Sequence, residues 1–332
     1  MDSQKATLPK FERLKKTRLG LLGYGAQGSA EAQNLKRSGV EFLLGLRDGA
    51  SKKRAIADGF SVLSIEEVAA QADSIAMNLP DQDQAQIYEE FLKNRPVKRL
   101  VFAHGFNTHF KLIPVLENGP RHFLVAPKGA ASGLQEFYGT KNALPAILAI
   151  QGVSADANAD DKAEKKWAEE YAIAIGCNSR ALIWADFKDE TDCDLFAEQV
   201  LLCGGVSSLL RKTYEVMVEA GYHPEAAYFE SLFELKLIVD LLWNRGITGM
   251  REKISPTARF GDITRGDRVI DDSVKKKMQE ILKEIQSGEF AKEFLKNNRS
   301  ENYLALAKKQ SEHPLEVMGK KMRDQLNNNI AG

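Results

Sequence analysis

Short apolar runs alternate with segments of helical periodicity over the first half of the chain. Seven runs have the length and the continuous apolar character of buried strands. They lie at residues 19–22, 41–46, 74–79, 99–103, 123–126, 145–151 and 181–183. Between them, residues 26–38, 65–71, 82–93 and 160–176 repeat apolar positions at helical spacing. This alternation predicts an α/β domain of the Rossmann type, a doubly wound parallel sheet covered on both faces.

Beyond about Trp184 the pattern changes to helical segments without a convincing strand. One long helix is predicted over 191–220 and closed by Gly221, and a second begins at Pro224 and runs to about Arg245. Further helices are predicted at 271–286, 290–297 and 314–327. The stretch 235–243 is apolar nearly all round, so we expect it to be deeply buried. The sequence therefore predicts a Rossmann-type domain over 1–185 and an all-α domain over 186–332.

Two pairs of acidic residues stand out in the helical half. Asp194 and Glu198 are four residues apart, and Glu230 and Glu234 repeat that spacing, both among apolar residues. Residues four apart share one helix face, so two facing pairs would form an oxygen-only cage suited to Mg²⁺. Apolar neighbours imply burial, and divalent cations would compensate the buried charges. The alternative is two solvated helix faces without a metal.

A G-x-G-x-x-G motif follows the first predicted strand and opens a helix. Its glycines, Gly23, Gly25 and Gly28, would allow a tight turn, close approach of a pyrophosphate, and packing of helix on strand. The free N–H groups of the helix would then face the phosphates. The alternative is a purely structural turn, but the strand–turn–helix context favours a dinucleotide site.

The second predicted strand ends at Arg47, and Ser51, Lys52, Lys53 and Arg54 follow closely. Donors of this kind suit a 2′-phosphate, which favours NADP over NAD. Asp48 opposes this preference, because its charge would repel the phosphate or bind a bare ribose. A solvated loop of mixed charge is the alternative interpretation.

Two polar residues follow apolar strands at the edge where doubly wound folds bind ligands. His104 comes directly after the strand at 99–103, and Lys128 follows the strand at 123–126. From its position alone, His104 is as well explained by a structural role as by a catalytic one. Lys128 alone is best interpreted as a surface lysine.

Composition narrows the class of partner. Lys plus Arg and Asp plus Glu each number 46, so net charge gives no argument for nucleic acid or an anionic membrane. The three cysteines lack metal-type spacing, which suits reduced thiols in a cytosolic protein. No apolar stretch looks long enough to span a bilayer, and the first residues do not resemble a signal peptide. We therefore expect a cytoplasmic protein.

Several motifs together resemble one family over nearly the whole chain. They are GYGAQG at 23–28, FAHGFN at 102–107, APKG at 126–129, TDCDLFAEQVLLCGG at 191–205, EAGYHPEAAYFESLFELKLIVDL at 219–241, IS at 254–255 and EHPLE at 312–316. The chain is similar to class I, short-form ketol-acid reductoisomerases of valine, leucine and isoleucine biosynthesis. That resemblance implies Mg²⁺-dependent alkyl migration of 2-acetolactate or 2-aceto-2-hydroxybutyrate, two small 2-hydroxy-2-acyl acids. NADPH would then reduce the product to a 2,3-dihydroxy acid.

The resemblance also implies residue roles and an assembly. Asp194 would bridge two Mg²⁺ ions, Glu198 would complete the first site, and Glu230 and Glu234 would serve the second. His104 would be the active-site histidine with Lys128 as a polar neighbour, and Ser255 would bind substrate. The NADP(H) site would comprise Gly23, Tyr24, Gly25, Ala26, Gln27, Gly28, Arg47, Ser51, Asp81, Gln82, Asp83 and Gln84. The family's helical domain is knotted and intertwined with a partner's, which implies a homodimer or higher oligomer with shared active sites.

Some positions depart from the family's usual pattern, and all of them concern the cofactor. Ser29 stands where a histidine is usual, Ala50 replaces a serine in a shortened loop, and residues 130–132 replace proline-glycine-histidine. Ala131 stands where a glycine normally makes a backbone contact to the cofactor, and it is counted among the cofactor-binding positions. The alternative functions are a metal-independent NADP-dependent 3-hydroxyacid dehydrogenase, separable by Mg²⁺ dependence, and a non-catalytic NADP sensor. A sensor would have no need of His104 and the four carboxylates.

Overall fold

The computed structural model of the protein describes residues 9–153 and 159–328. The chain divides into two compact units, one ending at Thr191 and the other beginning at Asp192. This division lies a few residues beyond the boundary proposed from sequence after Ala185.

The first unit contains one eight-stranded sheet. Its strands are β1 (Leu19–Leu22), β2 (Phe42–Gly45), β3 (Val62–Leu63), β4 (Ser74–Met77), β5 (Arg99–Phe102), β6 (Arg121–Pro127), β7 (Leu144–Ile150) and β8 (Cys177–Trp184). The order is β3-β2-β1-β4-β5-β6-β7-β8, so the chain reverses direction across the sheet at β1. All neighbouring pairs are parallel except β6 and β7, which run antiparallel. The predicted doubly wound sheet is present, and the expectation of uniformly parallel strands is wrong at β7 and β8, which run opposite to the other six strands.

The helices of the first unit cover both faces of this sheet. They are α1 (Ala26–Arg37), α2 (Ala50–Ala57), α3 (Ile65–Gln71), α4 (Asp81–Ile87), α5 (Phe106–His109), α6 (Ala131–Glu136) and α7 (Ala159–Ala174). Leu21 and Leu22, adjacent on β1, belong to different buried clusters. Successive strand side chains point to opposite faces, so each cluster is one face of the sheet. Leu35 of α1 and Tyr171 of α7 pack on one face, and Val68 of α3 packs on the other.

The second unit is helical throughout its described residues. Its elements are the end of α8 (Phe187–Ala197), a π turn (Glu198–Leu202), α9 (Gly204–Glu219), α10 (Pro224–Tyr228), a second π turn (Phe229–Phe233), α11 (Glu234–Arg251), α12 (Pro256–Val269), α13 (Asp272–Gln286), α14 (Glu289–Asn297), α15 (Glu301–Ser311) and α16 (Pro314–Asn328). The all-α prediction is confirmed, although α12 and α15 were not predicted. Gly246, with φ 67°, interrupts α11 directly after Arg245, where the second helix was expected to end.

The second unit has a small core of its own. Its cluster of buried side chains consists of Tyr214, Ala227, Tyr228, Leu315 and Met322. The apolar stretch 235–243 does not join this cluster. Leu237 is 51% exposed, Val239 50% and Trp243 83%.

The expectation that residues 235–243 are deeply buried is therefore wrong for the single chain. An apolar helix face becomes buried only where a second surface covers it. Large exposed apolar surfaces on a folded unit mark sites of association.

One helical stretch also corrects the prediction that no segment could span a bilayer. Phe187–Glu219 forms a continuous helical segment that meets the length and hydropathy of a membrane span, and its apolar window is only 6% buried. A single such helix is weak evidence for a membrane. Asp194 and Glu198 lie along it, and carboxylates within the hydrocarbon layer are costly.

Candidate functional site

The loop joining β1 to α1 places its three glycines in three different environments. Gly23 has φ +106°, and a Cβ there would overlap the backbone carbonyl of Asn78. A Cβ at Gly28 would overlap the carbonyl of Gly23. In contrast, none of the described residues comes within 4 Å of a Cβ built on Gly25. The outer glycines are thus required by the protein itself, while the middle one faces open space that a ligand can enter.

The amino end of α1 is open as well. Gly25 is the N-cap residue, and no side chain caps the helix. Ala26 and Gln27 form the first turn, Ala26 being exposed and Gln27 half-buried. The first N–H groups of this twelve-residue helix are therefore left for an anion, as a pyrophosphate requires.

Tyr24 contributes to this loop through its backbone rather than its ring. The phenol is buried and donates a 2.7 Å hydrogen bond to Asp58. Burial and this bond raise the pKa of Tyr24. Arg54 donates to the Tyr24 carbonyl at 3.2 Å, which ties α2 to the glycine loop.

The charged residues proposed to bind the ribose that carries the 2′-phosphate of NADP follow the end of β2. Arg47 is exposed, and its guanidinium lies 3.5 Å from the carboxylate of Asp83 on α4. The ammonium of Lys52 lies 2.8 Å from the fully solvated carboxylate of Asp48. This hydrogen bond and the charge of Lys52 lower the pKa of Asp48. Ser51 is the second residue of α2 and accepts a hydrogen bond from Arg54 at 3.0 Å.

The start of α4 is held against the end of β5 by amide contacts. Gln84 is buried and donates to the carbonyl of Leu79 at 2.8 Å. Asn107 donates to Gln84 and to the Asp81 carbonyl, both at 3.0 Å. These bonds place the carboxylate of Asp81 3.5 Å from Nδ1 of His104. Gln82 is half-buried at the same end of the helix.

A buried ion pair lies at the carboxyl ends of β5 and β6. The Nζ of Lys128 is 2.7 Å from Oε1 of Glu190, whose side chain is 1% exposed. The other oxygen of Glu190 accepts from the backbone N–H of Gly105 at 3.1 Å. A ring nitrogen of His104 lies within 4.8 Å of a Glu190 oxygen. Both predicted catalytic residues are therefore brought to one carboxylate.

Glu190 is the residue that the sequence analysis missed. It precedes Asp194 by four residues, as Asp194 precedes Glu198. The same four-residue spacing that singled out Asp194 and Glu198 extends back to Glu190, so the signal was present. What the spacing could not show is that Glu190 is buried against Lys128.

The four predicted metal ligands lie on helices that contain π turns. Asp194 is in α8, and Glu198 opens the first π turn; Glu230 lies in the second π turn, and Glu234 directly follows it. Asp194 is half-buried and the other three are exposed. Across the described parts of the chain, no group of three or more of these four brings its ligand oxygens within 4.8 Å. Within the residues that the structure describes, the single chain therefore does not assemble the predicted cage.

Glycines support the first π turn. Cys203 closes it by donating to the carbonyl of Glu198 at 3.0 Å. A Cβ at Gly204 would overlap the carbonyl of Gln199, and one at Gly205 would overlap that of Val200. The wider turn therefore tolerates no side chain at either position. π turns of this kind are frequent at functional sites.

Two further predicted residues open helices. Ser255 is the N-cap of α12, and its hydroxyl accepts from the N–H of Ala258 at 3.1 Å. Its own O–H can still donate a hydrogen bond. Ala131 opens α6, after Gly129 with φ +153°. Glycine at 129 rather than at 131 provides the unusual backbone conformation in this segment.

Two family profiles match the chain in succession. The NADPH-binding domain of acetohydroxy acid isomeroreductase matches residues 13–181, and the C-terminal domain of ketol-acid reductoisomerase matches 187–328. The solved structure of an NADH-preferring ketol-acid reductoisomerase from an uncultured archean is 36% identical over 96% of each chain, with a TM-score of 0.86. The chain belongs to the ketol-acid reductoisomerase family. It is accordingly an oxidoreductase of branched-chain amino-acid biosynthesis with a nicotinamide-binding Rossmann domain.

More distant structures share only the fold with this chain. A semialdehyde dehydrogenase NAD-binding protein from Cupriavidus necator is 17% identical, with a TM-score of 0.59 over 82% of this chain and 99% of its own. A putative oxidoreductase from Jannaschia sp. CCS1 is 10% identical with the same TM-score, over 80% and 96%.

Proposed function

We propose that the chain is a Mg²⁺-dependent ketol-acid reductoisomerase acting on 2-acetolactate and 2-aceto-2-hydroxybutyrate with NADPH as reductant. One observation carries the proposal. The open glycine loop after β1 and the Lys128–Glu190 pair beside His104 lie at the carboxyl edge of one sheet. Ligands of doubly wound folds bind at this edge, so cofactor and reacting groups would meet there.

The described residues fit a dinucleotide. The space beside Gly25 and the uncapped start of α1 would receive the pyrophosphate, while Asp81 to Gln84 would line the nicotinamide side. When bound, the cofactor supplies the hydride. The protein's own part is to hold α4 and the β5 end together through Asn107 and Gln84. That contact keeps His104 beside the start of α4.

NADPH is the proposed reductant because the charges at the end of β2 favour a phosphate. Asp48 is the residue that would oppose it, and Lys52 offsets its charge at 2.8 Å. Arg47 is 62% exposed, and its guanidinium lies 3.5 Å from the carboxylate of Asp83. A contact of that length is weak, so the guanidinium can turn toward a ligand. The archean relative prefers NADH, so a variant of Arg47 assayed with both cofactors tests the preference of this chain.

The four carboxylates fit hard divalent cations. Asp194, Glu198, Glu230 and Glu234 offer only oxygen ligands, as Mg²⁺ prefers. When bound, two Mg²⁺ ions supply Lewis-acid stabilisation of the substrate's oxygens. We assign Asp194 to both ions, Glu198 to the first and the Glu230–Glu234 pair to the second. Ser255 would bind the substrate through its hydroxyl proton.

Lys128, Glu190 and His104 would handle charge at the reacting end. Lys128 neutralises the buried carboxylate of Glu190, and the Gly105 N–H fixes that carboxylate in place. Glu190 in turn lies beside the ring of His104. The arrangement holds a histidine and a carboxylate within reach of one another at a protected site, as proton transfer to and from a substrate oxygen requires.

A second copy of the chain is proposed to complete the active site. The second unit exposes a large set of apolar side chains along α9, α11 and α12, among them Val216, Leu237, Trp243, Phe260 and Ile263. A partner's helical unit would cover these faces. The same cover explains the apolar segment Phe187–Glu219 in a cytoplasmic enzyme without invoking lipid. Light scattering at low micromolar concentration should give a dimer or larger species, and an active monomer would contradict the shared site.

The decisive assay is oxidation of NADPH with 2-acetolactate, with and without Mg²⁺. We expect turnover only with the metal and formation of the 2,3-dihydroxy acid. Metal-independent oxidation of a 3-hydroxy acid would instead identify a 3-hydroxyacid dehydrogenase. Binding of NADPH without turnover of either substrate would identify a sensor.

A further inference from the structure

A carboxylate lies fully buried beneath the glycine loop. Glu31, on α1, is 2% exposed and accepts three hydrogen bonds. Its Oε2 accepts from the Asn78 amide at 2.7 Å and from the Tyr171 hydroxyl at 2.8 Å. Its Oε1 accepts from the Gln27 amide at 3.0 Å. Two of these donors belong to the loop region: Gln27 lies in the first turn of α1, and the backbone of Asn78 packs against Gly23.

The surroundings of Glu31 are neutral. The titratable groups facing it are the phenol of Tyr171 from α7 and the thiol of Cys177 from β8. Burial raises the pKa of both, so both keep their protons. Burial likewise raises the pKa of Glu31, and the hydrogen bonds from Asn78, Gln27 and Tyr171 offset only part of this effect. Among the described residues, no basic side chain forms an ion pair with Glu31.

The Gln27 amide has a donor side and an acceptor side. While Glu31 is ionised, its Oε1 takes the N–H of Gln27, which turns the carbonyl oxygen of that amide to the other side. A protonated Oε1 would instead donate to the Gln27 carbonyl. The amide then turns over, at almost no steric cost, and presents its N–H groups. Gln27 is half-buried in the first turn of α1, next to the amino end of the helix that has no side-chain cap.

We infer that Glu31 binds a proton when a dinucleotide occupies the glycine loop, reversing the Gln27 amide so that its N–H groups face the pyrophosphate. The inference rests on the proposed placement of the cofactor at this loop. Two effects act in the same direction. Reversal replaces a carbonyl oxygen by a donor beside the phosphates, and protonation removes a buried negative charge near them. Glu31 is thus a positioning residue, since it acts on the cofactor through Gln27.

The sign of the pH dependence follows from this linkage. The bound cofactor favours protonated Glu31, so the pKa of Glu31 is higher in the complex than in the free protein. Binding takes up a proton at pH values between the two, and affinity falls as pH rises through that window. The dissociation constant should increase by up to about tenfold per pH unit there, the limit for one proton.

Isothermal titration calorimetry with NADH tests this inference. NADH is the suitable probe because it lacks the 2′-phosphate of NADPH, which titrates near pH 6 itself. Binding is measured from about pH 6 to about pH 8.5 in two buffers of different protonation enthalpy, which gives the protons taken up. The wild-type protein should take up as much as one proton. Glu31→Gln, which is neutral at every pH, should lack this uptake and should bind more tightly than the wild type at the alkaline end.

Two further variants separate the steps. Tyr171→Phe removes a donor that lowers the pKa of Glu31, so proton uptake should occur at higher pH than in the wild type. This variant also tests the inference if Glu31→Gln does not fold. Gln27→Met removes the reversible amide and should abolish most of the uptake while Glu31 remains. Equal uptake in Gln27→Met and the wild type would overturn the amide reversal.

Equal uptake in the wild type and in Glu31→Gln would overturn the inference as a whole, because protons bound elsewhere are common to both. Tight binding of NADH without any uptake would do the same while leaving the proposed function intact. Failure of both NADH and NADPH to bind at every pH would overturn the cofactor placement and this inference with it.

Discussion

Lys128 and Glu190 form an ion pair with a 2.7 Å separation, in which the carboxylate is 1% exposed and the ammonium side chain 29% exposed. The pair joins the end of β6 to the start of α8, and the Gly105 N–H binds the same carboxylate. Removing the lysine would leave a buried carboxylate with a single backbone donor. Such an uncompensated charge is strongly destabilising.

Lys128→Met should therefore lower the free energy of unfolding of the first unit by about 2 kcal/mol or more, and should abolish turnover. The double variant Lys128→Met, Glu190→Gln should recover much of the stability but not the activity. Urea denaturation and steady-state assays of the three proteins would measure both effects. Unchanged stability in Lys128→Met would show that the carboxylate is not dependent on this lysine.

The glycine loop allows a ligand effect to be separated from a folding effect. Nothing lies within 4 Å of a Cβ at Gly25, so Gly25→Val should fold normally and place its side chain where the pyrophosphate approaches. NADPH affinity should fall by about a hundredfold or more, as for loss of several phosphate contacts. Gly28→Val is the matched control.

In Gly28→Val the new side chain would overlap the Gly23 carbonyl, so this variant should lose thermal stability as well as binding. Fluorescence titration with NADPH and thermal melts would be run side by side. A Gly25→Val protein that binds NADPH like the wild type would move the cofactor away from this loop.

The fold was largely predictable where local sequence decides it. Apolar strands and the strand–turn–helix context of Gly23 to Gly28 located the sheet and the loop, because both are set by neighbouring residues. β3 was missed because a strand of two residues, Val62 and Leu63, leaves no periodic pattern. The antiparallel β7 was missed because strand direction depends on how the chain returns to the sheet. The hydropathy pattern of a strand does not depend on that return path.

The site was less predictable because much of it depends on distant partners. The role of Glu190 is set by Lys128, 62 positions away along the chain. The π turns at Glu198 and Phe229 leave no signal in apolar spacing. The exposed Trp243 shows the same limit: its sequence context indicates burial, but the surface that would cover it is not part of this chain's own core.

The proposed metal site predicts that metal binding depends on the helical unit and that NADPH binding depends on the first unit. Glu230→Gln should abolish turnover and weaken binding of Mn²⁺, measured as a Mg²⁺ substitute by electron paramagnetic resonance, while NADPH affinity stays unchanged. The reason is that Glu230 belongs to the helical unit, whereas the glycine loop belongs to the first. Glu252→Gln, another exposed acid of that unit, serves as the control. Wild-type turnover of Glu230→Gln in limiting Mg²⁺ would refute the metal assignment.

Cofactor preference should depend on Arg47. Arg47→Asp is expected to raise the KM for NADPH by about tenfold or more and to change the KM for NADH little, because only NADPH carries the 2′-phosphate. Arg18→Asp is the control, because Arg18 is exposed and precedes β1, at the opposite edge of the sheet from Arg47. If the unmodified protein uses NADH and NADPH with equal catalytic efficiency, the proposed preference for NADPH is wrong.

The first π turn offers the sharpest test of how a metal carboxylate is positioned. A Cβ at Gly205 would overlap the Val200 carbonyl, so Gly205→Ala cannot keep the turn that begins at Glu198. Returning this segment to α-helical geometry would rotate Glu198 relative to the residues beyond the turn, since a π turn contains one extra residue. Turnover and Mn²⁺ affinity should both fall, and stability should fall with them.

Gly261→Ala provides the matched control for this substitution. Gly261 lies inside α12, and nothing is within 4 Å of a Cβ there. Alanine at that position should stabilise the protein by about 0.5 to 1 kcal/mol through helix propensity and leave turnover unchanged.

A deletion of Val200 in the Gly205→Ala background separates stability from metal binding. The segment is then one residue shorter and can form a regular α-helix, so stability should be restored. Mn²⁺ binding should stay impaired, because Glu198 remains misplaced. Recovery of Mn²⁺ affinity together with stability would show that the π turn does not position Glu198.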